Sequence, residues 1–230
     1  MQLCGLQKLT LLDYPGRMAC TVFTGGCNFR CPFCHNASLV LRPGQAGTVS
    51  EEDFFTLLKK RKGILDGVCV TGGEPLLQPD IEPFLARIRA LGYPVKLDTN
   101  GSSPEKLRSL VEKGLVAQVA MDLKAGPEHY SAVIGVPGYD IAPIRESVAY
   151  LMAGHIPYEF RTTVVKGLHT QKDFVDIADW IAGADQYYLQ GFVDSGDLIG
   201  TSLSSFTPEE MRGFLAVVQK KIPNAQLRGV

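Results

Sequence analysis

Gly25-Gly26-Cys27-Asn28-Phe29-Arg30-Cys31-Pro32-Phe33-Cys34-His35-Asn36 follows directly on an apolar, strand-like stretch from Met18 to Phe23. Three cysteines fall within eight residues of what reads as a loop at the end of a strand. Thiolates select zinc, copper(I) or iron–sulfur clusters. A structural zinc site wants four ligands, usually as two pairs, and no second C-x2-C pair is present. His35 abuts Cys34, which makes joint tetrahedral coordination awkward. Iron–sulfur clusters normally take four cysteines, so a cluster held by three keeps one iron open to a substrate or cofactor. Cys4, Cys20 and Cys69 are scattered. The start, Met1-Gln2-Leu3-Cys4, lacks a charged n-region and a signal-like core, so a cytoplasmic protein with reduced thiols is expected rather than a disulfide framework.

Composition narrows the classes further. The chain has 230 residues, is 45% hydrophobic and carries a formal charge of −1, which suits one well-packed soluble domain. A near-neutral balance gives no basic footprint for nucleic acid and no polybasic segment for a membrane surface. No apolar run approaches the roughly 20 residues that span a bilayer.

Outward from the cysteine loop, strand-like and helix-like runs alternate. Ser50 reads as the N-cap of a helix to Lys62, with Asp53 in the N3 slot and Phe54, Leu57 and Leu58 on one face. Val68–Thr71 is a short buried strand, Asp80–Leu91 a helix stopped by Gly92-Tyr93-Pro94, and Val95–Thr99 a strand. A helix begins at about Pro104, where a missing N–H costs little. Val116–Leu123, Tyr158–Val165 and Gln186–Gln190 are further strands, separated by helices at 141–153 and 172–182 and followed by one at 208–221. Such alternation predicts parallel strands with covering helices. About six units fit, fewer than the eight of a closed barrel, so an α/β partial (βα)6 TIM-like barrel is expected. Residues 1–17 fall outside the pattern as an N-terminal extension, a possible hairpin around Leu11-Leu12-Asp13-Tyr14-Pro15-Gly16, and residues 18–230 form the single domain.

In parallel α/β folds, ligand sites lie at the carboxyl ends of strands. The cysteine loop, Gly72-Gly73-Glu74-Pro75, Asp98-Thr99-Asn100-Gly101 and Met121-Asp122-Leu123-Lys124 each follow a strand. Arg161 lies within the next one and Gln190 ends the last. Each is weak alone: a Gly-Gly pair is usually a turn. Their shared address is the stronger signal. His129, His155 and His169 carry no motif and read as loop or surface residues, and Arg228-Gly229-Val230 reads as a plain terminus.

The cysteine spacing, with aromatic Phe33 before the last cysteine, resembles the radical S-adenosylmethionine (SAM) superfamily over essentially the whole chain. Gly5-Leu6-Gln7-Lys8, Leu12-Asp13-Tyr14-Pro15-Gly16 and the run Phe23 to Asn36 are similar to the glycyl-radical-enzyme activating proteins, in particular the longer form of anaerobic ribonucleoside-triphosphate reductase activating protein. The resemblance implies a [4Fe–4S] cluster on Cys27, Cys31 and Cys34, with one iron left to the amino and carboxylate groups of SAM. It implies SAM contacts from Phe33, His35 and Asn36 along the adenine, from Gly72, Gly73 and Glu74 to the methionine amino group, and from Asp122 and Lys124 to ribose and carboxylate. Arg161 would also face the cofactor. Asp98, Thr99 and Asp122 match positions that bind a monovalent cation in some activating enzymes. Relatives acting on pyruvate formate-lyase carry a histidine where Gln190 stands; a glutamine amide can still bond a ribose hydroxyl.

The implied activity is that of an oxidoreductase. A low-potential donor such as flavodoxin or ferredoxin reduces the cluster, SAM is cleaved to methionine and a 5′-deoxyadenosyl radical, and that radical abstracts hydrogen from a backbone glycine of a partner glycyl radical enzyme. Two alternatives stay open. One is a radical SAM enzyme acting on a small molecule, like 7-carboxy-7-deazaguanine synthase. The other is a zinc-stabilised, non-enzymatic binding protein. Residues 126–140 and 193–205, with the N-terminal extension, are expected to carry partner contacts.

Overall fold

The computed structural model describes residues 1–45 and 47–230. Its chain forms two compact units: Met1–Asn28 with Asn36–Ala120, and Phe29–His35 with Met121–Val230.

In the first unit, β1 (Leu3–Thr10) pairs antiparallel with β2 (Ala19–Thr24), from Leu3 opposite Thr24 to Thr10 opposite Ala19. Residues 1–17 thus supply one strand and the connecting loop of a hairpin whose other strand is β2. Its connecting loop is held by residues of the motif itself: Leu12 and Asp13 N–H groups donate to Thr10 Oγ1, and Thr21 Oγ1 donates to the Asp13 carboxylate. Tyr14 is buried, and its ring lies where a side chain on Gly67 would stand. β2 then runs parallel with β3 (Gly67–Gly72), and β3 with β4 (Val95–Thr99). Four of the six β2 side chains in a row are buried, as expected for a parallel strand covered on both faces.

Helices α1 (Ala37–Leu41), α2 (Glu51–Lys60), α3 (Ile81–Ala90) and α4 (Pro104–Glu112) belong to this unit. α2 starts where the sequence predicts, because Ser50 Oγ accepts from Asp53 N–H at 3.0 Å; such a cap contributes about 1 kcal/mol. Phe54, Phe55 and Phe84 meet at centroid distances of 5.2–5.5 Å, joining α2 to α3. A short 3-10 turn at Pro75–Leu77 follows β3.

Strand β5 (Gln118–Asp122) begins in the first unit, where Ala117 N–H donates to Val95 O, and ends in the second, where Leu123 N–H donates to Arg161 O. The second unit continues with α5 (Tyr130–Val133), α6 (Ala142–Met152), β6 (Tyr158–Val164), α7 (Gln171–Trp180), β7 (Tyr187–Gly191), α8 (Pro208–Val218) and β8 (Gln226–Arg228). β6, β7 and β8 are parallel in that order. Thr170 and Asp173 form a capping box on α7, Thr207 and Glu210 another on α8. Phe174 and Phe214 stack at 4.6 Å between those helices.

Two expectations need correction. The C-terminal residues are not a plain terminus: β8 adds a strand beside β7, and Arg228 donates to both oxygens of buried Glu159 at 3.3 and 3.2 Å. A three-residue strand has too few positions for alternation to show in sequence. His169 is not a surface residue but 4% exposed. Among the described residues, no helix is long and apolar enough to cross a membrane.

Candidate functional site

In the first unit, β2, β3 and β4 run parallel, so Cys27, Gly72-Gly73-Glu74 and Asp98-Thr99-Asn100 lie at or just past the strands' shared carboxyl end. The glycine pair is required by backbone approach. Gly73 N–H donates to Thr24 O at 2.9 Å and Glu74 N–H to Gly26 O at 2.8 Å. A Cβ on Gly73 would stand 1.9 Å from Gly26 O, and one on Gly72, at φ +117°, 2.4 Å from Thr24 N. Both contacts are backbone, which cannot swing aside. The glycines thus clamp the start of the cysteine loop. Asn36, at its far end, donates to Gly72 O at 3.2 Å.

Glu74 is fully buried. Its Oε1 accepts from Thr99 Oγ1 at 2.7 Å and Leu76 N–H at 3.0 Å, and its Oε2 from Asn100 N–H at 2.7 Å. This carboxylate braces one strand-end loop against the next. Thr99 Oγ1 also accepts from Gly101 N–H. Lys96, 1% exposed, donates its ammonium to Asp98 Oδ1 at 2.8 Å. An internal cation therefore already stands at the carboxylate expected to bind a monovalent ion. Asn100 was not singled out as a site residue in sequence, yet its amide reaches Cys27 Sγ and Asn28 Oδ1.

The second unit holds Phe29–His35. Arg30 N–H donates to Ile134 O at 2.8 Å, Gly200 N–H to Pro32 O at 2.7 Å, and Phe29 meets Tyr139 edge-on at 5.1 Å. The segments 126–140 and 193–205, expected to meet a partner, here anchor the cysteine loop. Cys34 N–H closes a turn onto Cys31 O. Phe33 is buried, with the Lys124 ammonium 6.0 Å from its ring centre. His35 is exposed at its outer edge, its ring 5.5 Å from Phe192; partial desolvation and then Lys124 hold its pKa below the usual value, so it is neutral near pH 7.

Charge concentrates on β5 and β6. Lys124 Nζ and Arg161 Nε donate to opposite oxygens of Asp122 at 3.0 and 2.9 Å. Desolvation opposes ionisation of Asp122, but Arg161 and Lys124 outweigh it and hold the carboxyl well below the usual range. Desolvation likewise opposes the Lys124 ammonium, and Asp122 followed by Cys31 keeps it charged. Glu159 joins through Arg161 at 3.9 Å and through Arg228. Three cations (Lys124, Arg161, Arg228) against two carboxylates (Asp122, Glu159) leave one net positive charge. Gln190 is half-exposed on β7, paired in register with Thr163 and Arg228.

His169 was missed because nothing in its local sequence signals burial. Val165 N–H donates to its Nδ1 at 3.0 Å, so Nε2 carries the proton and donates to Lys124 O at 2.8 Å. Its ring also lies edge-on to Phe33 at 6.1 Å. It thus fixes the backbone that bears Lys124. Burial keeps its pKa low.

None of the six cysteines is in a disulfide. Cys20 is fully buried, which pushes its thiol up to about 12. Burial also raises Cys4, and Cys69 is fully buried. By donor type, Cys27, Cys31 and Cys34 suit an iron–sulfur cluster; in the first unit an amide faces Cys27, and in the second a cation lies near Cys31. Among the described residues, no three His, Cys, Asp or Glu side chains group around a single metal ion.

The Radical SAM superfamily matches residues 21–181. The chain belongs to the radical SAM superfamily. A Methanocaldococcus jannaschii protein, provisionally named a glycyl-radical enzyme activating enzyme, is 31% identical over 98% of this chain and 95% of its own. A probable GTP 3′,8-cyclase of Pyrobaculum aerophilum is 33% identical over 65% of this chain and 48% of its own. Among solved structures, Streptococcus suis SuiB bound to its precursor peptide SuiA aligns with a TM-score of 0.71 over 91% of this chain at 15% identity. The chain spans about half (48%) of that protein. This likeness shows the fold, the α/β radical SAM fold expected from sequence as a partial (βα)6 barrel. Membership makes the protein a radical SAM enzyme whose cofactors are a [4Fe–4S] cluster and SAM.

Proposed function

We propose that this radical SAM enzyme is an activase that installs a glycyl radical on a partner enzyme of the anaerobic ribonucleotide reductase type. The reading is carried by the match to the M. jannaschii protein, which extends over 98% of this chain and 95% of that one. Cys27, Cys31 and Cys34 would hold the cluster. When bound, cluster and SAM supply one-electron reductive cleavage of the sulfonium and hydrogen-atom abstraction. This chain supplies binding and orientation. Lys124 and Arg161 would receive the methionine carboxylate, for which the net positive charge is suited. Asp122, kept ionised by both cations, would accept from ribose hydroxyls, with Gln190 as a second polar contact. Backbone at Gly72 and Gly73 would meet the amino group, and Phe33, His35 and Asn36 would line the adenine, His35 as a neutral ring. Glu74 would act as the brace of that loop. A flavodoxin- or ferredoxin-type protein would supply the electron, and Asp98, Thr99 and Asp122 would sit where some activating enzymes bind a monovalent cation.

A second reading, action on a small molecule, draws on the GTP 3′,8-cyclase match and on 40% identity to a Halobacterium salinarum 7-carboxy-7-deazaguanine synthase over 40% of this chain. The test is anaerobic reconstitution, then dithionite, SAM and candidate glycyl radical enzymes. A glycyl-radical EPR signal on the partner, with 5′-deoxyadenosine formed, supports the activase. 5′-Deoxyadenosine formation coupled to conversion of a nucleotide, with no radical on any partner, supports the second reading. Zinc without iron or sulfide would count against both.

A further inference from the structure

Asn100 lies at the carboxyl end of β4, 6% exposed, and makes hydrogen bonds of three kinds. Its backbone N–H donates to Glu74 Oε2 at 2.7 Å. Its side-chain Oδ1 accepts from Ser102 N–H at 2.9 Å. Its Nδ2 faces Asn28 Oδ1 at 3.0 Å and Cys27 Sγ at 3.7 Å. The amide orientation follows from these partners. Ser102 N–H can only donate, so the oxygen must face it and the NH2 must face the cysteine loop. Two donor hydrogens then meet two acceptors, an amide oxygen and a cysteine sulfur.

We infer that Asn100 sets the reduction potential of the cluster by donating an N–H···S hydrogen bond to the Cys27 thiolate. The inference rests on the reading that Cys27 is a cluster ligand. Hydrogen bonds to the ligand sulfurs are one of the protein's means of tuning a cluster. Reduction adds negative charge that is shared with the thiolates, so a donor at sulfur favours the reduced state and raises the potential. Because the electron must reach the cluster from a low-potential donor, a residue that raises the potential eases that transfer.

The surroundings hold this amide in place. Glu74 fixes the Asn100 backbone through its N–H, and Thr99, bound to the same carboxylate, fixes the residue before it. The brace therefore acts on backbone, while tuning acts through the side chain. The two roles separate in one substitution. Asn100→Ala keeps the N–H that Glu74 holds and removes the donor to sulfur together with the acceptor for Ser102 N–H. Asn100→Asp keeps the shape and the acceptor towards Ser102 N–H but replaces the NH2 with a carboxylate oxygen.

The test is an EPR-monitored redox titration of anaerobically reconstituted wild type, Asn100→Ala and Asn100→Asp. Circular dichroism melts and iron and sulfide content are measured on the same samples. The expected result is a full cluster in each, with the potential more negative in Asn100→Ala than in wild type and more negative again in Asn100→Asp. If Asn100→Ala loads no cluster, the uncharged, similarly shaped Asn100→Leu, which also lacks the donor, decides in the same direction. A potential equal to wild type in the loaded variants overturns the inference while leaving the cluster assignment standing. Failure of wild type to assemble a [4Fe–4S] cluster, or survival of the cluster in Cys27→Ala, overturns the assignment and the inference with it.

Discussion

The two units present different chemistry around the residues that the family motifs single out. In the first, the groups are glycine backbone, an asparagine amide and a carboxylate wholly used inside the protein. In the second, they are an ion cluster, the buried rings of Phe29 and Phe33, and a neutral histidine. The first is built by close approach: Gly73 against Gly26 leaves no room for a methyl group, and Glu74 satisfies three donors at once. The second is built by charge: Asp122 lies between Lys124 and Arg161. Substitutions in the first should therefore be felt mainly as stability, and those in the second mainly as cofactor affinity.

Gly73→Ala should give the largest effect. Its methyl group would meet a carbonyl rather than a flexible side chain, so we expect a loss on the order of 4 kcal/mol or failure to fold, read as a thermal melt. A melt near wild type with weakened SAM binding alone would break the comparison.

Glu74→Ala comes next. It leaves Thr99 Oγ1 and the N–H groups of Leu76 and Asn100 without their carboxylate in a buried place. A loss of about 3 kcal/mol is expected, from roughly 1 kcal/mol or more for each unsatisfied donor. Chemical denaturation checks it, and a change under 1 kcal/mol would show that the brace is dispensable.

Lys124→Met should behave in the opposite way. Arg161 remains on Asp122, so the melt should move little. The affinity of the reconstituted enzyme for SAM should fall by about 10- to 100-fold, the worth of a charge-assisted hydrogen bond. A large drop in melting temperature with unchanged affinity would mean that Lys124 serves the fold.

These contrasts also show what could be read from the chain. The strand ends, the cysteine loop and the Asp-Leu-Lys turn were legible because each is local: a short apolar run followed by a distinctive turn. The start of α2 was legible for the same reason, since Ser50 and Asp53 are neighbours. Asn100 and His169 were not recognised as site residues because their meaning is tertiary. The sulfur that Asn100 reaches is 73 positions away in sequence, and the carbonyl that His169 holds is 45 positions away. The Gly-Gly pair was legible as a loop, but its clamp on Thr24 and Gly26 needs the parallel pairing of β2 with β3. β8 was too short to carry a pattern.

His169 gives the smallest and most specific prediction. Burial lowers its pKa below the unfolded value of 6.5, so below that pH the unfolded chain binds a proton that the folded chain resists. Stability should rise with pH up to about 6.5 and level off above it. His169→Asn should flatten part of that slope, the remainder belonging to His35, whose pKa is also lowered. At pH 8 the same variant should lose on the order of 1 kcal/mol through the weakened hold on Lys124 O. Denaturation curves at pH 5.5 and 8 measure both; an unchanged slope would show that His169 does not titrate in this way.

The chemistry proposed for this protein depends most directly on the three-cysteine loop. The deciding measurement is the EPR spectrum of the reduced, reconstituted protein with and without SAM, alongside single cysteine variants. We predict a [4Fe–4S] signal that changes when SAM is added. It should be lost in Cys27→Ala, Cys31→Ala and Cys34→Ala and kept in Cys4→Ala. A cluster that survives loss of any of the first three, or a spectrum indifferent to SAM, would contradict the account.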